Sequence, residues 1–172
     1  MAKNYGYTTV YSLADYKVAI QIPAIPGVPG LETAMEFTIG GAGNDYEGSC
    51  VGEIRVSRNN DTWTTEADPT GSWVHNKNLD RTGRVQISIR QVSDYIIKFI
   101  CICQAYEKVS SGHGNSGIGI TVIPDNGGGA SGFAQAIDCF PVKIPDQVFG
   151  STAQDQEIVF TSGRVTFTVD EP

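Results

Sequence analysis

The sequence predicts an α+β protein that is mainly β, namely an antiparallel β-sandwich or partly closed barrel with one flanking α-helix at about residues 94–109. Three observations predict it. Apolar and polar residues alternate with a period of two along much of the chain. One segment near the middle instead has apolar residues at helical spacing. The elements come as several strands, one helix and then several strands, an order typical of α+β proteins.

Period-two alternation is clearest in three segments and is typical of half-buried antiparallel strands. The predicted inward residues of these segments are Ile54 and Val56 in GEIRVSR, Val85, Ile87 and Ile89 in RVQISIRQ, and Val165, Phe167 and Val169 in RVTFTVD. The first two segments have a polar face formed by Glu53, Arg55, Ser57, Arg84, Gln86, Ser88 and Arg90. Further strand candidates, rich in β-branched and aromatic residues, are Lys17–Ile22, Met35–Ile39, Thr62–Glu66, Ser72–Lys77, Ile118–Ile123, Phe133–Val142 and Glu157–Thr161.

The predicted helix begins after Ser93, a favourable N-cap residue, with Asp94 in the first turn, and extends to Val109. Its helically spaced apolar residues are Ile96, Phe99, Ile100, Cys103 and Tyr106. Other faces are apolar as well, through Ile97 and Ile102. Such a helix is either packed deep on a sheet or covered by another subunit, and both possibilities stay open.

Three segments are predicted to be loops because they are rich in glycine or proline. Residues 23–31 should turn or run extended outside the sheet interior. Residues 40–48, with Gly43, Asn44 and Asp45, and the hairpin loop 124–132, with Asn126 and Gly128, are candidate contacts between subunits. The glycines of the second loop lack the GK[ST] ending of a phosphate-binding loop.

The composition excludes several classes of function. A chain of 172 residues with a net charge of −7 is one domain, and it is poorly suited to neutralising nucleic acid. It has 2 histidines and four cysteines (Cys50, Cys101, Cys103 and Cys139) without a CxxC pair, so neither a metal site nor a catalytic triad is expected. We read the cysteines as small apolar residues, with a disulfide between subunits as the alternative.

Charge is unevenly distributed along the chain. Residues 77–108 have six basic and three acidic residues, a net charge of +3. Residues 125–172 have two basic and seven acidic residues, a net charge of −5. These segments are either ordinary solvated surface or complementary faces of a head-to-tail assembly.

The order of motifs resembles the tail tube proteins of contractile-tailed phages, over roughly residues 50–162. The first part is GEIRVSRNNDTWTTEADPTGSWVHNKNLDRTGRVQISIRQVSDYI. It has a strand, a polar kink at Arg58–Asp61, a short strand, a turn at Gly71 and a basic turn at Asn78–Gly83 before the next strand and helix. The second part, GITVIPDNGGGASGFAQAIDCFPVKIPDQVFGSTAQDQEIVF, has a hairpin, a strand, a proline turn at Ile144–Asp146 and a last apolar strand.

The resemblance implies a structural virion protein and not an enzyme, with residues 1–172 as a single tail-tube-like domain. Two segments depart from the family's pattern, a loop insertion at 23–49 and a C-terminal extension at 163–172. The resemblance also implies stacked hexameric rings around a lumen that conducts DNA without binding it specifically. The implied partners are further copies of the chain, the tail sheath, the baseplate and the tail terminator, with no cofactor and no membrane span. The protein would be assembled in the host cytoplasm and end in the virion tail. The strand face described above would line the lumen or an interface.

Two other functions remain open on the sequence. One is the tube of a phage-derived contractile injection system, which would have the same pattern. The other is a β-sandwich binding module, for which Trp63, Trp73 and Tyr46 are the candidate contacts. A monomer with ligand-dependent melting would favour the binding module.

Overall fold

A computed structural model describes residues 16–40, 51–124 and 132–169. These residues contain nine strands and one helix: β1 (Tyr16–Ile22), β2 (Met35–Gly40), β3 (Val51–Arg58), β4 (Trp63–Ala67), β5 (Trp73–Lys77), β6 (Gly83–Arg90), α1 (Tyr95–Tyr106), β7 (Ile118–Pro124), β8 (Gly132–Pro141) and β9 (Asp155–Val169). The predicted mainly β class with one flanking helix is confirmed. No helix in this part of the chain is long and apolar enough to cross a bilayer.

Seven strands form one antiparallel sheet in the order β2-β1-β7-β8-β9-β6-β3, and β4 and β5 form a separate hairpin. The large sheet curls into a half-barrel, which is the partly closed form that the sequence left open beside a sandwich. Strand β6 lies between β3 and β9, with Val85 opposite both Val56 and Phe160. The hairpin therefore connects two strands that are neighbours in the sheet.

The helix packs on the inner face of the sheet and closes its core. The ring of Phe99 lies 5.6 Å from that of Phe37 in β2 and 6.2 Å from that of Phe160 in β9. One helical residue thus contacts strands from distant positions of the sheet. The predicted inward residues Val85, Ile87 and Ile89 are fully buried in the same core as Phe99.

The helix is shorter than the predicted span of 94–109. It begins at Tyr95 and ends at Tyr106, because the backbone then tightens: Lys108 N–H donates to the Ala105 carbonyl and Val109 N–H to the Tyr106 carbonyl. The predicted capping role is divided between two residues. Asp94 occupies the cap position without a side-chain cap bond, while the Ser93 hydroxyl accepts from Tyr95 N–H at 3.2 Å.

Residues 23–31 turn outside the sheet, as predicted, but their apolar side chains belong to the core. Ile25, Val28 and Leu31 are buried, and Ile25 N–H donates to the Leu31 carbonyl at 2.6 Å. The turn uses positive φ angles at Gly27 and Gly30, 86° and 89°, which glycine adopts without steric cost. The segment predicted as a loop therefore contributes side chains to the core.

The last two predicted strands are one continuous strand. β9 extends over 15 residues, pairs with β6 through residues 155–162 and with β8 through residues 160–169. Residues 163 and 164 are both exposed, which shifts the inward phase by one residue before Val165. Phe167, predicted to point inward, is 49% exposed and lies under the guanidinium of Arg58 at 5.7 Å.

Candidate functional site

The predicted polar face is brought together on the outer surface of β3 and β6. The register places Glu53 opposite Ser88, Arg55 opposite Gln86, and Ser57 opposite Arg84. All seven predicted residues alternate with inward residues and are exposed or half-buried. Pairing continues into β9, so the face spans three adjacent strands.

Two of the three arginines on this polar face have an acidic partner. Arg55 Nη2 lies 2.8 Å from Glu53 Oε1 on the same strand, and Arg90 Nε lies 3.2 Å from Asp155 Oδ1 on β9. Among the described residues, Arg84 makes no ion pair. A shallow polar depression of about 140 Å³ lies at the centre of the polar face, lined by Glu53, Arg55, Gln86, Ser88 and Glu157.

The acidic part of this polar face was not predicted from the sequence. Asp155 and Glu157 lie opposite Arg90 and Ser88 in β9 and are exposed. The signal was present, because in DQEIVFT the residues Gln156, Ile158 and Phe160 alternate with them and are buried. Alternation within a strand does not show which strand lies next to it in the sheet. Here β9 is the neighbour of β6, although the helix and two further strands separate them in the chain.

A second surface, the hairpin arm, consists of β4, β5 and their turn. All ten residues of its two strands are exposed. The register places Trp63 opposite Lys77 and Trp73 opposite Ala67, so the two tryptophans share one face of the arm with His75. Lys77 Nζ lies 5.5 Å from the Trp63 ring, and His75 Nδ1 lies 2.9 Å from Thr65 Oγ1.

The two ends of the hairpin arm are fixed by aspartates. At its tip, Asp68 Oδ1 accepts from the Thr70 hydroxyl at 2.6 Å and from the backbone N–H groups of Thr70 and Ser72. The bond from the Thr70 hydroxyl is the main cause that lowers the pKa of Asp68, and backbone bonds from Ser72, Thr70 and Gly71 lower it further. The arm's turn is therefore built to hold one conformation in solvent.

At the base of the hairpin arm, Asp80 accepts from Thr82 N–H at 2.8 Å and from the Asn60 amide at 2.6 Å. The backbone bond from Thr82 is the main cause that lowers the pKa of Asp80. Asn59 adds a backbone bond to Thr82 across the same junction. The arm is therefore a defined projection anchored at the end of β3 and β6.

Exposed apolar side chains lie at both ends of β6. Three of them precede its start and form what we call the arm patch: Trp63, Trp73 and Leu79. Val74 is also exposed but lies on the opposite face of the arm. The end patch, at the other end, consists of Val92, Ile97, Val148 and Phe149. The pairing of Arg90 with Asp155 places the residues that follow β6 beside those that precede β9. Phe149 is 84% exposed.

The remaining candidates do not form a site. The loop residues Gly43, Asn44, Asp45, Asn126 and Gly128, like Tyr46 and Cys50, lie outside the described residues. Cys101 is exposed and free, whereas Cys103 and Cys139 are buried. In the described ranges, no group of three histidine, cysteine or acidic side chains could hold a metal ion.

Neither models of known protein families nor curated protein sequences match the chain. Its fold is similar to that of a sheath/tube terminator from an extracellular contractile injection system, PVC, in the extended state. That comparison has a TM-score of 0.50 at 12% identity and covers 95% of this chain and 100% of the terminator. The tube-terminating cap of the anti-feeding prophage gives 0.47 at 12% identity, covering 99% and 95%. A chain of the PVC sheath–tube complex gives 0.48 at 10% identity, covering 95% of each chain.

Proposed function

We propose that this protein is a structural subunit of a contractile phage tail, which assembles into stacked hexameric rings and forms a tail tube around a lumen that conducts DNA. The hairpin arm is the observation that supports this most directly. A two-stranded hairpin is marginally stable on its own in water, yet this one is anchored and presents two tryptophans to solvent. A contact with another subunit would cover them.

The position of the two apolar patches supports stacking. They lie at opposite ends of one strand and consist of different residues, so they suit a head-to-tail contact between two unlike surfaces. Head-to-tail contacts generate rings when the rotation closes and filaments when it does not. A tube of stacked rings combines a closed ring with an open repeat along the tube axis.

The polar sheet face is suited to a water-filled lumen. Within β3, β6 and residues 155–161 of β9 it has three carboxylates (Glu53, Asp155 and Glu157) and three guanidinium groups (Arg55, Arg84 and Arg90). The face is therefore neutral in sum, and two of its arginines are already paired. DNA would pass without the counterion release that makes a basic surface hold it. Glu157 of a neighbouring subunit is a candidate partner for Arg84.

The similarity of the fold to a sheath/tube terminator favours a tail particle and introduces a second candidate function. A terminator would form a single ring that caps a tube instead of extending it. Both functions imply the tail sheath and other tail proteins as partners, a final location in the particle and assembly in the host cytoplasm. Neither needs a cofactor or catalysis.

Electron microscopy and sedimentation of the purified protein test the proposal. We expect tubes or stacked rings at high concentration, and single rings if the protein is a terminator. Replacing both Trp63 and Trp73 by Ser should abolish stacking while the free energy of unfolding stays within about 0.5 kcal/mol, the usual range for exposed positions. Thr64→Ala, on the opposite face of the arm, is the matched control and should stack normally.

A monomer at all protein and salt concentrations would contradict the proposal, and ligand-dependent melting of that monomer would point to a binding module. The affinity of the assembled particles for DNA tests whether the lumen conducts DNA. Assembled particles should bind DNA weakly, and affinity that rises steeply at low salt would contradict a DNA-conducting lumen.

A further inference from the structure

We infer that Arg58 is a positioning residue, which holds the hairpin arm in the direction that ring stacking requires. The inference rests on the proposed function and specifies how the arm is prepared for its contact. Two short segments connect the arm to the sheet, residues 59–62 after β3 and residues 78–82 before β6. Arg58 is the last residue of β3 and therefore lies at the start of the first connection.

Val165 of β9 is bonded through both of its backbone groups to the base of the arm. Its N–H donates to the Arg81 carbonyl at 2.8 Å, and its carbonyl accepts from Arg58 Nε at 3.2 Å. The side chain of Val165 is fully buried and lies against Gly83, where an added Cβ would overlap it. A single residue of the sheet thus holds the second connection through its backbone and the start of the first connection through the side chain of Arg58.

Phe167 supports the Arg58 side chain from a second direction. The guanidinium carbon lies 5.7 Å from the centre of the Phe167 ring, within the range of a cation–π contact. Beyond Ser162, the register of β9 with β6 ends, while its pairing with β8 continues to residue 169. Arg58 therefore joins the start of the arm to the part of β9 that extends past β6, and the planar guanidinium group suits such a fixed position.

The other polar contacts at the base of the arm have a different effect. The Asn60 amide donates to Asp80, and Asn59 N–H donates to the Thr82 carbonyl. These bonds join the two connections to each other, whereas Arg58 joins them to the sheet.

Direction matters for the proposed contact because the two tryptophans lie on one face of the arm. An arm that turned about its two connections would present this face to a neighbouring ring only part of the time. Ordering it at the contact would then reduce the affinity between rings, and a surface already held in its bound direction avoids that loss.

The two tryptophans also make the arm's motion measurable. The chain has 2 tryptophans, and both lie in the arm, so time-resolved anisotropy of the tryptophan fluorescence reports on the arm alone. In the unassembled protein, Arg58→Ala should add a fast component to the anisotropy decay, because the arm then moves relative to the sheet. The protein concentration required for stacking should rise about 3- to 10-fold.

Arg164→Ala is the matched control. Arg164 is also an arginine, it precedes Val165 in β9 and its side chain is exposed. Its replacement should leave both the anisotropy decay and the concentration required for stacking unchanged. A loss of positive charge alone would affect the two variants equally.

Phe167→Leu tests the same arrangement without removing the bond from Arg58 to Val165. It keeps an apolar side chain and removes only the ring beneath the guanidinium, so it should increase the arm's motion less than Arg58→Ala does. In the double variant it should add little further motion, because the two residues act on the arm together.

Two results would overturn the inference and leave the proposed function standing. One is an anisotropy decay like that of the native sequence in both Arg58→Ala and Phe167→Leu, and the other is normal stacking by a variant whose arm has become mobile. A protein that never stacks, although Arg58→Ala makes its arm mobile, would overturn the proposed function and confirm that Arg58 holds the arm.

Discussion

Tyr106 and Ser116 join the end of α1 to the segment before β7: the Tyr106 hydroxyl donates to the Ser116 carbonyl with 2.7 Å between the oxygens. Both residues are buried, and the Tyr106 ring also meets Phe140 edge-on at 5.8 Å. Burial, with a smaller contribution from Cys139, raises the pKa of Tyr106 above its ordinary value. The hydroxyl therefore stays protonated and available as a donor.

Tyr106→Phe should destabilise the protein by about 1–3 kcal/mol, because the Ser116 carbonyl would remain buried without that donor. Chemical denaturation of the unassembled protein measures the change. Thr65→Val removes an exposed hydroxyl that contacts His75 and should cost below about 0.5 kcal/mol. Equal losses in both variants would show that the buried bond has no special weight.

The strand pattern was predictable where one face is fully buried. Val85, Ile87 and Ile89 alternate with polar residues, and burial alone fixes which face is inward. The buried turn with Ile25, Val28 and Leu31 was not predictable as core, because proline and glycine indicate backbone geometry and not where the side chains between them go. The continuity of β9 was hidden by its phase shift at residues 163 and 164.

Phe99→Ala should cost about 3–5 kcal/mol, since the side chain is 1% exposed and contacts the rings of both Phe37 and Phe160. Ile97→Ala is the matched control on the same helix. Ile97 is 70% exposed, so its truncation should change the stability of the monomer by less than about 0.5 kcal/mol. An effect of Ile97→Ala on assembly alone would support coverage of this face by a neighbour.

The polar face could be predicted from the sequence only in part. Arg84, Gln86, Ser88 and Arg90 share a face by periodicity, and the structure places them there. The pairing of Arg90 with Asp155 depends on strand order, which local alternation does not encode. The exposure of Phe149 likewise depends on how the segment after β8 packs on its neighbours, so it could not be predicted from the local sequence.

Gly83→Ala should destabilise the sheet by about 1–3 kcal/mol or more. Gly83 lies opposite both Arg58 and Ser162, and an added Cβ would overlap the Ser57 carbonyl and the Val165 side chain. Gly114→Ala, where an added Cβ meets open space, should be nearly neutral. Thermal melting compares the stability of the two variants. An unchanged melting temperature for Gly83→Ala would mean that the three strands can move apart at this position without losing stability.

The two buried thiols, Cys103 and Cys139, should make the protein less stable at alkaline pH. Burial raises the pKa of Cys103 to about 11 and, likewise, that of Cys139 to about 11. In an unfolded chain a thiol has a pKa of about 8.5. Below that value both states hold the proton, so the two thiols give no pH dependence.

Between about pH 8.5 and 11 the unfolded chain releases the thiol protons while the native protein keeps them, so the free energy of unfolding should fall as pH rises. Denaturation in urea at pH 8, 9, 10 and 11 measures the slope. Cys103→Ala and Cys139→Ala should each make it shallower, whatever their effect on stability at neutral pH. Cys101→Ala, which removes an exposed thiol, should leave the slope as it is. The Tyr106 hydroxyl, whose pKa burial also raises, adds to the fall above about pH 10, so the double Cys103→Ala, Cys139→Ala variant should keep part of the slope. A flat profile in the native sequence, or an unchanged slope in that double variant, would contradict the contribution of these thiols.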